Sequence, residues 1–216
     1  MKFTLTFILF TLSLGAMADN ARDRSMASIR PDIRKGQARE LLGGRYKRSV
    51  VFQFEKESGL ERKIFAKVRE SLPKKYKKDT QEIARTIVLE ANKHGLDPYF
   101  VMAVIAGESS FNPKARGPVG EIGLMQLRPT TGEWMANKTR MKYQGAETLL
   151  DPIKNIKLGT AYLGWLRIKF NGHGQLYLAA YNMGPGSVKS ALRKDVWPKD
   201  YPRHVMKRYI AFYNEL

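Results

Sequence analysis

The chain has 216 residues, 43% hydrophobic and 11% aromatic, room for one domain of the usual roughly 100–200 residues plus an appendage, with enough apolar side chain for a core. Wholesale disorder and collagen-like repetition are therefore excluded. A formal charge of +18 attracts polyanions without saying anything about the fold, and zero cysteines exclude disulfides, thiolate metal sites, iron–sulfur clusters and a cysteine nucleophile.

In chain order, Lys2 precedes an apolar run from Phe3 to Leu14 and then Gly15-Ala16-Met17-Ala18, the pattern of a secretory signal over residues 1–18 with cleavage after Ala18. The run is shorter than the ~20 residues of a membrane-spanning helix, and an uncleaved anchor is the alternative. No later segment reads as a membrane span. With no cysteine to acylate, the product is expected to be exported, periplasmic or secreted, and not a lipoprotein.

Residues 19–78 hold 18 basic and 8 acidic residues, against 19 and 12 in residues 79–216, so a basic extension precedes the main domain. Its first part, around Arg30-Pro31 and Gly43-Gly44, shows little periodicity and is expected to be a linker, and Val50 to Phe54 alone alternates as a strand would. Leu60, Ile64, Val68 and Leu72 recur every four residues among Arg62, Lys63, Lys67 and Arg69, an amphipathic basic helix. That helix either docks on the main domain or contacts the wall or a membrane surface.

Pro73 and Lys74-Lys75-Tyr76-Lys77-Lys78 break the pattern, and the main domain, residues 79–216, is expected to start at Asp79. Asp79 with Glu82 resembles a capping box, Ile83, Ile87, Ala91 and His94 share a stripe, and Gly95 stops the helix. Asp97-Pro98 opens a second helix to about Ser109. Helices are also expected from Pro129 to Asn137, Ile153 to Phe170, Gly174 to Met183 and Pro202 to Tyr213, so the fold class is all-α. Three scattered histidines, His94, His173 and His204, lack ligand spacing; no metal and no cofactor is expected.

The helix after Pro98 is apolar all round up to Gly107, which marks it as central and buried, and Glu108 stands at its C-terminal end. Apolar neighbours and the negative helix terminus both disfavour ionisation of a carboxyl there, as a general acid near neutral pH requires. Residues 112–126 form a loop with Gly117, Gly120 and Gly123 at three-residue spacing, ending in Met125 and Gln126, an apolar face beside an amide that suits a sugar. Tyr181 and Asn182 stand at another helix end, before Gly184-Pro185-Gly186.

Glu108-Ser109, Gly123-Leu124-Met125-Gln126 and Ala180-Tyr181-Asn182, in that order, resemble the soluble lytic transglycosylase domain, a relative of goose-type lysozymes, over roughly residues 79–213. Asn112-Pro113 and Asp151-Pro152 with Asn155-Ile156, Gly159 and Tyr162-Leu163 add to the likeness. The resemblance implies a lysozyme-like helical domain cleaving the β-1,4 bond between N-acetylmuramic acid and N-acetylglucosamine in peptidoglycan glycan strands. Glu108 would be the sole catalytic carboxylate, acid and then base, giving 1,6-anhydro ends without water. Gln126 and Met125 would line the cleft, Tyr181 would lie near the glycosidic oxygen, and Asn182 and Ser109 would position neighbours.

Three departures stand out: Gly117 where relatives carry Ser, Glu121 two positions before Gly123, and Tyr201-Pro202-Arg203-His204-Val205 where relatives show Glu-Thr-x-x-Tyr. Glu121 is a candidate second carboxylate. The competing readings are accordingly a hydrolytic muramidase assisted by Glu121 and a wall-binding protein without activity. Nucleic acid is not an expected partner, since only charge suggests it; a monomer is expected.

Overall fold

The computed structural model of the chain describes residues 27–215. The signal segment read at residues 1–18 lies outside the described residues. Among those residues there is no strand; two isolated bridges, Arg116 with Ile122 and Ile122 with Leu127, pin the loop that follows Asn112. No described helix is long and apolar enough to cross a membrane.

The stretch expected to be a linker is instead helix α1, Pro31–Leu42, followed by a 3₁₀ helix, Gly43–Arg48. Pro31 fits the first turn, where its missing N–H costs nothing, and Gly43 closes the helix at φ 51, its N–H donating to the Arg39 carbonyl. Periodicity failed here because two of the buried positions are polar. Gln37 is fully buried; its Nε2 donates to the Tyr177 hydroxyl at 3.1 Å and its Oε1 accepts from the Asp97 N–H. Arg34, 2% exposed, donates Nη2 to the Phe54 and Glu55 carbonyls at 2.7 and 2.9 Å. The alternation at Val50 to Phe54 is a second correction: Val50–Gln53 is a short helix, α2, capped by Ser49 Oγ, with only Val51 buried.

Helix α3, Leu60–Ser71, buries the predicted stripe, with Leu60, Ile64, Val68 and Leu72 each at most 2% exposed, against α4, Thr80–Lys93. The lysine run between them is a 3₁₀ helix, Lys74–Asp79, and Asp79 makes no side-chain cap, so the capping box does not form. Helix α5, Pro98–Ser109, is the central rod. Asp97 caps it through Tyr99 N–H and accepts hydroxyls of Tyr209 and Tyr213 at 2.7 and 2.8 Å, tying its start to the C-terminal helix, Asp200–Asn214.

The remaining helices are α6, Pro129–Thr139; α7, Ala146–Leu150; α8, Pro152–Lys169; α9, Gly174–Met183; and α10, Pro185–Arg193, which makes the C-terminal helix α11. One core runs through all of this, from Ile29 to Tyr213. The extension shares it and is clamped further by Glu40, which takes a two-point contact from Arg167 of α8 at 2.7 to 3.1 Å. A planar fork on a carboxylate is the strong form of such a pair.

Candidate active site

Apolar burial along α5 from Pro98 to Ile105 carries Glu108 to the last turn of a helix with nowhere else to point its end. Ser110 and Phe111 follow in left-handed conformations, φ 50 and 60, and Phe111 is 2% exposed, so the chain turns sharply and plugs back into the core. Burial is the largest influence on Glu108 and raises its pKa to about 7. The Tyr201 hydroxyl and the Arg208 cation oppose that rise, and the Glu121 charge adds to it.

The Tyr201 hydroxyl donates a very short hydrogen bond to Glu108 Oε1. Tyr201 lies in the segment expected to depart from the family pattern, and the structure makes it the hydrogen-bond partner of the acid. The sequence carried a faint signal, a tyrosine just before the helix expected from Pro202, but nothing in the spacing linked residues 93 apart.

Ser109 joins two backbone segments: its Oγ donates to the carbonyls of Leu124, 2.8 Å, and Ile105, 3.2 Å, stitching the helix end to the glycine loop. Met125 corrects an expectation. Its side chain is fully buried rather than lining the cleft, in space that Gly159 leaves open: a Cβ there would stand 2.5 Å from the Met125 sulfur. What Met125 offers the site is its backbone carbonyl, which accepts the Tyr181 hydroxyl at 2.7 Å. Tyr181 is 9% exposed and close enough to Glu108 to feel its charge.

The loop's shape depends on Asn155, whose functional weight the sequence reading did not assign. Its Oδ1 accepts Met125 N–H at 2.8 Å and its Nδ2 donates to the Ile122 and Leu149 carbonyls, both at 2.9 Å, so one buried amide satisfies three backbone groups. Gly123, at φ +81, passes so close to the Leu149 carbonyl and Asn155 Nδ2 that a Cβ has no space. Gln126 is also left-handed, φ 44, and anchors its Nε2 on the Ala115 and Gly123 carbonyls. Its Oε1 remains turned toward Gly117, 2.9 Å from where a Cβ would stand. Asn182 is exposed at the end of α9.

Glu121 fills the space above Gly117, where a Cβ would collide with its Oε2. Its Oε1 accepts Arg128 Nε at 3.2 Å and its Oε2 accepts Val119 N–H at 3.1 Å. Burial pushes its pKa up, but its own and the Val119 N–H together with Arg128 prevail and hold it below the usual carboxylate range. The two carboxyls are therefore tuned in opposite directions, Glu108 ionising late and Glu121 early as pH rises. A separate cavity of about 700 Å³ opens between the start of α1 and residues 55–62 and holds none of these residues.

An all-α domain with one desolvated acid at the tip of its central helix, against a glycine-built loop, belongs to the lysozyme-like class of glycan-cleaving folds. The Transglycosylase SLT domain family matches residues 85–203, more than half of the chain. The chain belongs to that family. It is 42% identical over 89 residues to a putative soluble lytic murein transglycosylase of Haemophilus influenzae, a match spanning 41% of this chain and 15% of the relative. It is 39% identical over 94 residues to the soluble lytic murein transglycosylase of Escherichia coli, again 15% of that protein's length. Among solved structures, an inactive Glu-to-Gln mutant of the Pseudomonas aeruginosa lytic transglycosylase Slt aligns with a TM-score of 0.55 at 25% identity, covering 88% of this chain and 38% of that one. The 70 kDa soluble lytic transglycosylase of Escherichia coli aligns with the same score and identity over 77% of this chain and 31% of its own.

Proposed function

We propose that the chain is a peptidoglycan lytic transglycosylase that cuts the β-1,4 bond between N-acetylmuramic acid and N-acetylglucosamine, with Glu108 as acid and then base. The observation that carries the reading is the state of Glu108: burial brings its pKa to about 7, and the Tyr201 hydroxyl occupies one of its two oxygens. With Oε1 accepting from Tyr201, the acidic proton rides on Oε2, the oxygen free to meet a ligand. Glu108 passes that proton to the bridging oxygen as the bond to muramic C1 breaks, releasing the N-acetylglucosamine 4-hydroxyl. The substrate's acetamido group supports the cationic carbon. The resulting carboxylate, steadied by Tyr201, then takes the proton of the muramic C6 hydroxyl, whose oxygen closes on C1. Glu108 ends protonated and no water is consumed, which sets the reaction apart from the usual two-carboxylate plan.

Tyr181, hung from the Met125 carbonyl, and Gln126 Oε1, facing Gly117, supply the polar edge of the sugar site, and Asn182 borders it. One structural relative is described as an inactive Glu-to-Gln mutant, which suits a reaction that depends on a glutamate. Glu121 is a poor base for a hydrolytic water because Arg128 and the Val119 N–H hold its pKa low; its charge instead helps keep Glu108 protonated. The substrate places the protein at the cell wall, as an exported protein, and the basic residues 19–78 suit the carboxylates of peptide stems. Digestion of purified sacculi followed by mass spectrometry of the soluble fragments tests the reading. Muramic ends one water lighter than hydrolysed ones, absent with Glu108→Gln, are expected; reducing muramic ends would overturn it.

A further inference from the structure

The aromatic side chains that begin at the cleft continue beyond it. Tyr181 meets Tyr162 of α8 with ring centroids 5.5 Å apart, and Tyr162 stacks on Trp165 at 6.0 Å and 12°. Trp134 of α6 stands nearly perpendicular to both, 6.2 Å from Tyr162 and 4.7 Å from Trp165. The two tyrosines are buried, 9% exposed at Tyr181 and 8% at Tyr162, whereas Trp165 is half-buried and Trp134 is 37% exposed. Arg128 makes a second connection: its Nε holds Glu121, and its charge reaches the Tyr162 hydroxyl. An unbroken band thus runs from the surroundings of Glu108 to open surface between α6 and α8.

One exposed indole on a surface is ordinary. Two in contact, joined to a sugar cleft by rings and rimmed by cations, are not. Lys138 Nζ lies 5.1 Å from the Trp134 ring and Lys169 Nζ 4.7 Å from the Trp165 ring, each lysine one helical turn after its tryptophan and exposed. We propose that Trp134 and Trp165 form an accessory carbohydrate platform that takes distal sugars of the same glycan strand whose scissile bond lies at Glu108. The inference rests on the reading of the cleft given above.

The chemistry is that of a flat ring against a flat ring. β-1,4-linked N-acetylhexosamines carry their polar groups equatorially, leaving axial C–H groups on each face to lie against the negative face of an indole, where many small dispersion contacts add up. Cation–π contacts at exposed sites are weak, so an arriving sugar displaces the two ammonium groups sideways. They then stand at the rim, where stem peptides present carboxylates. Continuity with the cleft and charge complementarity both favour the glycan over other occupants.

The test uses the full chain carrying Glu108→Gln, which stops turnover, and Trp197→Phe, which leaves Trp134 and Trp165 as the only indoles. Its tryptophan fluorescence is titrated with β-1,4-linked N-acetylglucosamine oligomers of two and six sugars. The longer oligomer is expected to change the emission and to bind more tightly. Trp134→Ala should lower the ratio of six-sugar to two-sugar affinity about tenfold, which is about 1.4 kcal/mol, and Trp134→Phe should restore most of it; thermal melts followed by circular dichroism check that each variant is folded. An unchanged ratio in folded Trp134→Ala overturns the platform while leaving the cleft reading intact. Failure of every oligomer to bind, with no 1,6-anhydro product from the unaltered protein, overturns the cleft reading and the platform with it.

Discussion

Replacing Glu108 by Gln should make the protein more stable, and by an amount that depends on pH. The carboxyl titrates at about 7 in the fold against an ordinary 4.5. Between those values the folded chain holds a proton that the unfolded chain has lost, so unfolding is progressively favoured as pH rises. Two and a half pH units at 1.36 kcal/mol each come to about 3 kcal/mol. Below pH 4.5 both proteins present a neutral side chain of nearly the same shape and should differ little. From there the advantage of the variant should grow, levelling off above pH 7 at about 3 kcal/mol. Urea unfolding of parent and variant at a series of pH values reads this directly, and the difference between the two curves cancels the other groups titrating in the range. A parent and variant that run parallel from pH 4 to 8, or that converge as pH rises, would refute the claim that the fold holds a desolvated acid at this position. The cost is local and belongs to function: a site that stabilised the carboxylate would have a more stable protein and no acid to donate near neutral pH.

Cleavage of the unaltered protein should fall about tenfold per pH unit above pH 7, as Glu108 loses its proton. Tyr201→Phe removes a donor that favours the charged form, so the alkaline limb of kcat/KM should move up by about one pH unit while the rate at pH 6 falls about tenfold through lost positioning. Glu121→Gln removes a neighbouring negative charge and should move the same limb down, read from the same pH profile. Asn155→Ala leaves the Leu149 carbonyl and the Met125 N–H without their partner, the Ile122 carbonyl keeping the Leu127 N–H, and should cost about 2–4 kcal/mol in denaturant unfolding, with activity lost alongside. Gly117→Ser should destabilise alone and be relieved by Glu121→Ala, a positive coupling in a double-mutant cycle of about 1–2 kcal/mol.

The main helices were legible because their start signals are local. Asp97-Pro98 and Asp151-Pro152 each supply a capping carboxylate and a proline at the first helical position, and the structure forms both caps. The acid was legible for a similar reason, since a helix apolar on every side must be central and its terminal carboxyl must be desolvated. Helix α1 was missed because Gln37 and Arg34 bury polar groups whose partners, Tyr177, Asp97 and the 54–55 carbonyls, lie 20 to 140 residues away. Hydrophobic periodicity cannot see a face buried by hydrogen bonds. The same limit hid Tyr201 and Asn155, whose roles exist only once distant segments meet. Met125 misled in the opposite way: an apolar residue in a sugar-facing motif reads as a cleft wall, yet Gly159 provides a socket behind the loop, and the side chain goes there.

The departures at Gly117 and Glu121 are one feature. A side chain at 117 and the carboxylate of Glu121 compete for the same volume, so the glycine leaves Glu121 room to fold over the loop and reach Val119 N–H and Arg128. The charge Glu121 carries there has a definite effect on Glu108: a like charge raises the pKa of the acid, whereas Tyr201 and Arg208 lower it. The acid thus sits between opposing influences from two segments, the glycine loop and α11. Burial sets the scale of its pKa, and the residues that depart from the family pattern trim it to the range in which one carboxyl can both give and recover a proton.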